Sequence, residues 1–169
     1  MNTPEITIGG YFPGAIGQLT ELHAVYYHGH WGFDLSFEAQ VGRELSCFLA
    51  ELDPARDLFL AARTGDRLAG ALAIDGHSTP ADGARLRWFI VRPEHAGRGL
   101  GARLLTEALD FARRAGHRRV YLWTFRGLDC ARRLYERAGF QLAQEHPTEQ
   151  WGGLIPEQRF DLEIYPPGR

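Results

Sequence analysis

Apolar residues along the chain follow two alternating patterns, one typical of α-helices and one typical of β-strands. A recurrence every three to four positions predicts amphipathic helices at residues 13–32, 36–52, 100–117 and 128–140. Shorter runs rich in β-branched and aromatic residues predict strands at residues 5–10, 57–75, 84–91, 118–125, 140–146 and 158–165. The run at 57–75 contains a Thr-Gly-Asp turn and therefore predicts two strands in a hairpin.

This order of strands and helices predicts an α/β fold built on a mixed sheet. Leu86, Trp88 and Ile90 alternate along one predicted strand, so we expect them on one face of the sheet. Asp34 and Ser36 are both suitable caps for the second helix. The polar, glycine-containing segment 147–158 is interpreted as a loop.

Composition and charge narrow the class of protein. The 169 residues, 44% of them hydrophobic, suit one globular domain over residues 1–169. The formal net charge of −2 gives no support to a general nucleic-acid or membrane-surface role. Cys47 and Cys130 are too few for a disulfide framework, and no apolar run approaches the ~18 residues of a membrane span. We therefore expect a cytoplasmic protein with reduced thiols.

Three glycines, Gly97, Gly99 and Gly101, lie within five positions between a predicted strand and a predicted helix. Glycine destabilises both strands and helices, so three glycines in this short segment indicate a specific structural or binding role. The first amides of a helix have no internal partner, and the helix dipole adds partial positive charge there. Without side chains, an anion can reach these amides, which indicates a phosphate-binding loop. A tight turn that only redirects the chain is the alternative.

Two familiar phosphate-binding motifs do not fit this loop. Residues 97–102 satisfy the pattern G-x-G-x-x-G/A, but the next strand ends without the acidic residue that a dinucleotide site needs. No Gly-Lys-Ser/Thr follows, so the loop is not a P-loop. Arg98 and Arg103 can add positive charge for a phosphate or pyrophosphate group.

The segments FIVRPEHAGRGLGARLL and LYERAGF resemble the acetyl-CoA-binding core of the GNAT N-acetyltransferase superfamily. The resemblance extends from Ile6 to Ile164 and is closest to the acetyltransferase half of bacterial proteins that fuse a MarR-type DNA-binding domain to a GNAT domain. It implies a single-domain fold with a mixed, mostly antiparallel sheet that is splayed at its middle strands and flanked by helices.

The resemblance also implies how acetyl-CoA is bound. Backbone amides of the glycine loop hold the pyrophosphate, and the preceding strand pairs with the pantetheine arm. The implied cofactor-binding residues are Phe89, Ile90, Val91, Gly97, Arg98, Gly99, Leu100, Gly101 and Ala102. The family motif begins with Arg or Gln, whereas Ala96 stands at this position, which removes one side-chain contact but leaves the amides.

Tyr135 matches the tyrosine that, in the family, protonates the departing thiolate. A phenol stays protonated at neutral pH and can donate to that sulfur. Tyr135 also lies in an apolar stripe, so a packing role is the alternative. An amine acceptor must lose a proton before it attacks, and Glu94 is the nearest acid to the loop. Glu94 can equally be a solvated loop residue, with water as the base.

The polar and aromatic segment HAVYYHGHWGFD is the candidate acceptor site, because the family places these helices over the acceptor slot. The candidate acceptor-binding residues are Tyr26, Tyr27, His30, Trp31 and Trp123. Trp151 can reach the same slot or serve packing. The spacing of His23, His28 and His30 fits no recognised metal site, so we expect no metal.

The leading interpretation is an enzyme that transfers an acetyl group from acetyl-CoA to a primary amine in a ternary complex. A non-catalytic acyl-CoA sensor that contacts a regulator is the alternative, and Tyr135 argues against it because a sensor needs no acid. A different acyl donor stays open. We expect no nucleic acid or membrane partner, and a homodimer is a possibility because family members often dimerise.

Overall fold

The computed structural model describes residues 4–77 and 81–164. The strands are β1 (Thr7–Gly9), β2 (Leu58–Thr64), β3 (Arg67–Asp75), β4 (Ala84–Val91), β5 (Arg119–Phe125), β6 (Gln141–Gln150) and β7 (Gly153–Glu163). The helices are α1 (Ala15–Trp31), α2 (Leu35–Ala50), α3 (Leu100–Arg114) and α4 (Asp129–Ala138). The strands form one sheet in the order β1-β2-β3-β4-β5-β7-β6. The predicted α/β fold with a mixed sheet is confirmed.

The two middle strands separate soon after they meet. β4 and β5 are the parallel pair, and their paired residues are Ala84 with Val120 and Arg85 with Tyr121. Every other neighbouring pair in the sheet is antiparallel. Beyond Arg85 the facing edges of β4 and β5 diverge, so the sheet opens at its centre. The expected splay of the middle strands is therefore present.

A β-bulge in β4 changes which face its side chains occupy. Arg87 pairs with Ala73 and Ile90 with Ala71, so two residues of β4 lie opposite one residue of β3. Trp88 within the bulge has φ 49°. Leu86 packs in one core, whereas Trp88 and Ile90 pack in the other. The expectation that these three residues share a face was wrong, because the bulge interrupts the alternation.

The sheet separates two hydrophobic cores. One core contains the apolar stripe of α3 together with Tyr135 and Phe140. The other contains the apolar faces of α1 and α2 and the hairpin residue Ile155. Asp34 is the N-cap of α2, where its carboxylate accepts the Ser36 amide at 2.9 Å. The layer of α3 and α4 and the layer of α1 and α2 therefore cover opposite faces of the sheet.

The chain closes in a long hairpin rather than in two short strands and a loop. β6 and β7 pair from Gln141 to Gln150, and the turn residues Trp151 and Gly152 have φ 53° and 89°. Two consecutive positive φ values match the tight turns that suit the twist of a hairpin. Much of segment 147–158 is therefore strand, which corrects the predicted loop. The sequence signal is weak because β6 is an exposed edge strand with few apolar residues.

Candidate active site

The glycine loop presents the open N-terminus of α3. Gly97 and Gly99 have φ 74° and 81°, and Gly99 is the N-cap without a side-chain hydrogen bond. A Cβ atom added at Gly97 or Gly99 would meet nothing within 4 Å. Glycine is therefore needed here for its left-handed conformation, and the space before the first helix amides is open. This arrangement can bind an anion such as a phosphate group.

Gly101 serves a different purpose from the other two glycines. A Cβ atom at this position would lie 3.1 Å from Leu134 Cδ1 and 3.5 Å from Phe89 Cζ. Gly101 therefore allows the first turn of α3 to approach α4 and β4 closely. The sequence interpretation assigned all three glycines to ligand access, whereas the missing side chain of Gly101 makes room for Leu134. Its amide stays among those predicted to bind the anion.

The remaining predicted cofactor-binding residues flank this loop. Phe89 and Val91 pack against the α3-side core, and Leu100 is buried within it. Ile90 and Val91 pair with β3, which leaves their other backbone edge toward the divergent β5. Free backbone groups at this edge can accept an extended polar chain as an additional strand-like partner. Arg98, Ala96 and Ala102 lie at the exposed or partly exposed mouth of the loop.

Tyr135 lies on α4 beneath the opening between β4 and β5. Its side chain is buried, and its ring contacts Phe89 at 6.0 Å, Phe140 at 5.8 Å and Phe160 at 6.1 Å between centroids. Burial raises the pKa of Tyr135, and the phenol of Tyr27 raises this pKa further. Tyr27 belongs to the opposite helix layer, where it packs against the α1–α2 core. Tyr135 therefore stays a proton donor at neutral pH.

Glu94 lies in a short 3-10 turn that precedes the glycine loop. Its side chain is 58% exposed and its Oε1 atom lies 3.5 Å from Arg67 Nη2. A backbone hydrogen bond at Glu94 itself, with help from nearby positive charges, lowers the pKa of this carboxyl. An exposed carboxylate with a lowered pKa is a weak base for an ammonium group. The base role of Glu94 stays a prediction.

The fold brings four of the predicted acceptor-binding residues into one aromatic cluster. Tyr26 stacks on His30 at 4.1 Å between ring centroids, and Tyr27 stacks on Trp31 at 5.5 Å. Trp123 lies elsewhere, on β5, where its ring contacts His146 at 5.6 Å. The cluster also contains Trp151, which the sequence placed at this slot or in packing, and Phe33, which lies in the segment HAVYYHGHWGFD. Sequence reasoning missed Phe37 and Phe125.

The histidines of α1 are engaged with backbone carbonyls. His23 Nδ1 lies 2.9 Å from the Leu19 oxygen, and burial lowers the pKa of His23 to about 4. His28 Nδ1 lies 2.9 Å from the Phe33 oxygen. His23 is therefore neutral at physiological pH and helps to order the helix end that carries the aromatic cluster.

A second polar cluster, distant in sequence from the loop, joins Asp57, Asp75 and His77. Ligand atoms of these three residues lie within 4.8 Å of one another. Asp57 already accepts hydrogen bonds from the amides of Asp53 at 2.9 Å and Gly76 at 2.8 Å, and its Oδ2 lies 2.7 Å from His77 Nδ1. These contacts fix the start of β2 against the end of β3, which is a structural role.

Comparison with known proteins points in the same direction as the loop geometry. A model of the acetyltransferase (GNAT) family matches residues 17–140 of this chain. The N-alpha-acetyltransferase RimI of Mycobacterium tuberculosis is 37% identical over 98 residues, which cover 57% of this chain and 60% of RimI. An uncharacterised protein of Mycobacterium leprae is 31% identical over 138 residues, which cover 80% of this chain and 34% of the relative. The chain thus spans about a third of one relative and three fifths of the other.

Solved structures share the fold along nearly the whole chain. A GNAT-family protein from Desulfovibrio desulfuricans has a TM-score of 0.73 and 22% identity, and covers 94% of this chain and 99% of its own. The yncA protein of Salmonella typhimurium, solved with its cofactor acetyl-CoA, has a TM-score of 0.71 and 17% identity over 94% of this chain and 93% of its own. None of the helices in the described segments combines the length and apolar character that a membrane crossing requires.

Proposed function

Because the chain belongs to the acetyltransferase (GNAT) family, we propose that it transfers an acetyl group from acetyl-CoA to a primary amine in a ternary complex. The observation that carries this proposal is the uncapped N-terminus of α3 beside the opening between β4 and β5. A phosphate group held by the helix amides would lie beside this opening, which would receive the extended arm of the ligand.

The residues present fit acetyl-CoA. Gly97 and Gly99 leave open space before the helix amides, and Arg98 adds positive charge at the mouth of the loop. The free edge of Ile90 and Val91 offers backbone groups to a chain that lies between the strands. When bound, acetyl-CoA supplies the acetyl carbonyl group and leaves as the CoA thiol.

Tyr135 supplies the proton in this mechanism. Its phenol is buried in the core on the α3 and α4 side of the sheet, and its raised pKa keeps the proton on the oxygen at neutral pH. A departing thiolate next to this phenol takes the proton as the carbon–sulfur bond breaks. The packing of Tyr135 between Phe89 and Phe160 fixes the position of its hydroxyl group.

A non-catalytic acyl-CoA sensor is the second candidate, and Ala96 is the residue that favours it. The family motif has Arg or Gln at this position, and a protein that only senses the cofactor needs less affinity from it. A likeness to MarR fusion proteins, a homodimer, a single domain over residues 1–169 and a cytoplasmic location stay predictions.

Calorimetry and a thiol-release assay on one protein preparation test the proposal. We expect the wild type to bind acetyl-CoA and to release CoA thiol only when an amine is added. The Gly99→Val variant should lose affinity for acetyl-CoA while its circular dichroism spectrum is unchanged. Binding without thiol release for any amine in a broad panel would favour the sensor, and no binding would refute both candidates.

A further inference from the structure

Two charged side chains, Arg85 and Glu157, lie on the same face of the sheet on either side of the central opening. Arg85 pairs with Tyr121 on β5, and Glu157 of β7 pairs with Phe125 four residues further along β5. Paired residues and residues two apart in a strand share a face, and β5 and β7 pair without a register shift. Phe125 packs in the α1–α2 core, so this face lies opposite Tyr135 and α3.

Of these two side chains, Arg85 is the one with an unused hydrogen-bond donor. Its Nε atom is buried and has no hydrogen-bond partner among the described residues. Desolvation lowers the pKa of Arg85 and the neighbouring Arg87 adds to this effect, whereas Tyr121, Glu44 and Asp75 oppose it. The side chain as a whole is half-buried, so an anion can reach it, and the unused donor at Nε is costly unless a ligand satisfies it. The Arg85 guanidinium is therefore a group on this face of the sheet that can bind an anion.

The other basic residues nearby are already paired. The Arg87 guanidinium binds Glu44 of α2, and its Nη1 atom lies 3.2 Å from Asp75 Oδ2. Arg159 Nε lies 2.7 Å from Asp161 Oδ1. Arg85 differs from both because the described residues offer it no carboxylate within 4.0 Å.

Glu157 is a carboxylate held away from water. Its side chain is 17% exposed, and its Oε2 atom lies 3.7 Å from His146 Nε2 on β6. Desolvation raises the pKa of Glu157, while the charges of His146 and Arg85 oppose this rise. β5 contributes the uncharged Phe125 beside it. A shielded carboxylate whose pKa is raised is a better proton acceptor than an exposed one.

The position of Glu157 connects it to the proposed proton donor. Phe125, its partner on β5, contacts the Tyr27 ring at 5.9 Å between centroids. On the other face of the sheet, the Tyr135 ring contacts Phe89 of β4 at 6.0 Å between centroids. An amine beside Glu157 therefore lies at the end of this face where β4 and β5 have diverged. Arg85 lies at the other end, where β4 and β5 are still paired.

We propose that the amine acceptor is a free amino acid, with its carboxylate on Arg85 and its amine beside Glu157. This inference rests on the proposed acetyl transfer. A cation without an ion-pair partner among the described residues and a shielded carboxylate on one face of the sheet complement a zwitterion, which pairs with both charges at once. An amine without a carboxylate leaves the buried Nε atom of Arg85 without an acceptor.

The protons balance in this arrangement. The ammonium group of the acceptor gives one proton to the Glu157 carboxylate, and the nitrogen lone pair then forms the bond to the acetyl carbon. The carbon–sulfur bond breaks with its electron pair on sulfur, and Tyr135 supplies the proton that completes the thiol. The acylated nitrogen then loses its second proton, which restores the Tyr135 phenol, and Glu157 releases the first proton to solvent. The products are therefore the N-acetyl amino acid, CoA thiol and one proton.

The experiment compares matched acceptors on the wild-type protein. A panel of α-amino acids and longer-chain ω-amino acids is tested beside the corresponding carboxamides, with CoA thiol release as the readout. We expect kcat/KM to be about 10- to 100-fold higher for the preferred amino acid than for its amide, the range of a charge-assisted hydrogen bond. Equal values throughout the panel overturn the inference, as does a peptide N-terminus that is acetylated better than every free amino acid.

Variants then assign the preference to the two residues. Arg85→Gln should reduce the acid-to-amide ratio to about one, mainly by raising KM for the amino acid, whereas Arg85→Lys should retain part of the ratio. Glu157→Gln should lower kcat for both acceptors and remove the acidic limb of the pH profile of kcat/KM. Arg114→Gln, which removes an exposed charge at the end of α3, is the matched control.

Two outcomes separate this inference from the proposed function. An Arg85→Gln variant that still binds acetyl-CoA and keeps the full wild-type preference overturns the assignment of Arg85, while acetyl transfer itself stands. Acetyl-CoA binding without turnover of any amine overturns the proposed acetyl transfer and this inference together.

Discussion

A catalytic role and a packing role for Tyr135 predict different effects of its substitution. Replacement by phenylalanine keeps the ring contacts with Phe89 and Phe160 and removes only the hydroxyl group. We expect Tyr135→Phe to lower kcat by roughly 10²–10⁴ with little change in the Kd for acetyl-CoA. Thiol-release kinetics and calorimetry on the same preparation measure both quantities.

The control for this prediction is the melting temperature. A purely structural hydroxyl costs about 1 kcal/mol of stability when it is deleted and leaves kcat unchanged. A Tyr135→Phe protein with a lower melting temperature but the kcat of the wild type would show that Tyr135 has a packing role. Burial raises the pKa of this phenol, so the wild-type activity should not fall as pH approaches the usual tyrosine range.

Gly99 and Gly101 should respond differently to the same substitution. Gly99→Val places a side chain in open space before the helix amides, so it should weaken acetyl-CoA binding, and the positive φ should cost about 1–2 kcal/mol of stability. Gly101→Val presses on Leu134, so it should lower the free energy of unfolding by about 1–3 kcal/mol. Calorimetry and urea denaturation distinguish the two effects.

The double variant Gly101→Val, Leu134→Ala checks the explanation for Gly101. Removing the Leu134 methyl groups makes room for the valine and should restore part of the lost stability. Equal destabilisation of the double and single variants would mean that the contact with Leu134 is not the cause.

The loop between β4 and α3 is the element that we propose to bind the cofactor. Ala96 is exposed at the position where the family motif has Arg or Gln. We expect Ala96→Arg to tighten coenzyme A binding by about 1 kcal/mol, the scale of one partly exposed charge-assisted contact. Calorimetry measures the change, and Ala143→Arg on the exposed edge strand β6 adds the same charge elsewhere as a control. Weaker binding would show that the loop follows another path around the ligand.

Elements with a strong periodic pattern were predictable, and elements defined by a single irregular residue were not. The apolar stripe of α3 and its stop at Gly116, which has φ 83°, follow directly from local sequence. The bulge at Trp88 carries no periodic signal, so the sequence placed Leu86 and Ile90 on one face. The exposed strand β6 lacks an apolar face, and its pairing with β7 determines its length instead.

At the scale of the whole molecule, one cluster of charged residues links helix α2 to the start of β2, the end of β3 and the middle of β4. Asp57 at the start of β2 forms an ion pair with His77, which also lies near Asp75. Arg87 in turn forms ion pairs with Asp75 and with Glu44 of α2. The hydrogen bond to Asp57 raises the pKa of His77 above its ordinary value of 6.5. The protonated form of His77 is therefore stabilised in the folded state.

This cluster predicts a loss of stability at alkaline pH. Because the folded pKa is raised, the contribution of His77 is fully present below the unfolded pKa of about 6.5 and is lost as pH rises through the folded pKa. We expect the difference in urea midpoint between wild type and His77→Asn to be larger at pH 6 than at pH 9. His28→Asn on α1 is the control, and a difference that does not depend on pH would contradict this account.

The sequence by itself determined the elements that depend on local chemistry. Helices α2 and α3, the hairpin of β2 and β3, and the glycine loop all follow from spacing, caps and turns over fewer than twenty residues. The family resemblance added the fold, the cofactor and Tyr135, although Tyr135 alone reads equally well as a core residue.

Only the tertiary structure decided which distant residues meet. Arg85 and Glu157 carry no shared motif, and their common face depends on the register of β4, β5 and β7. The aromatic cluster joins α1 to Phe125 and Trp151. Glycine is required at position 101 because Leu134 of another helix lies close to it. Local periodicity limits the register of a strand to pairings that keep its apolar face buried, but it does not say which distant strands pair, and packing over the whole chain decides that.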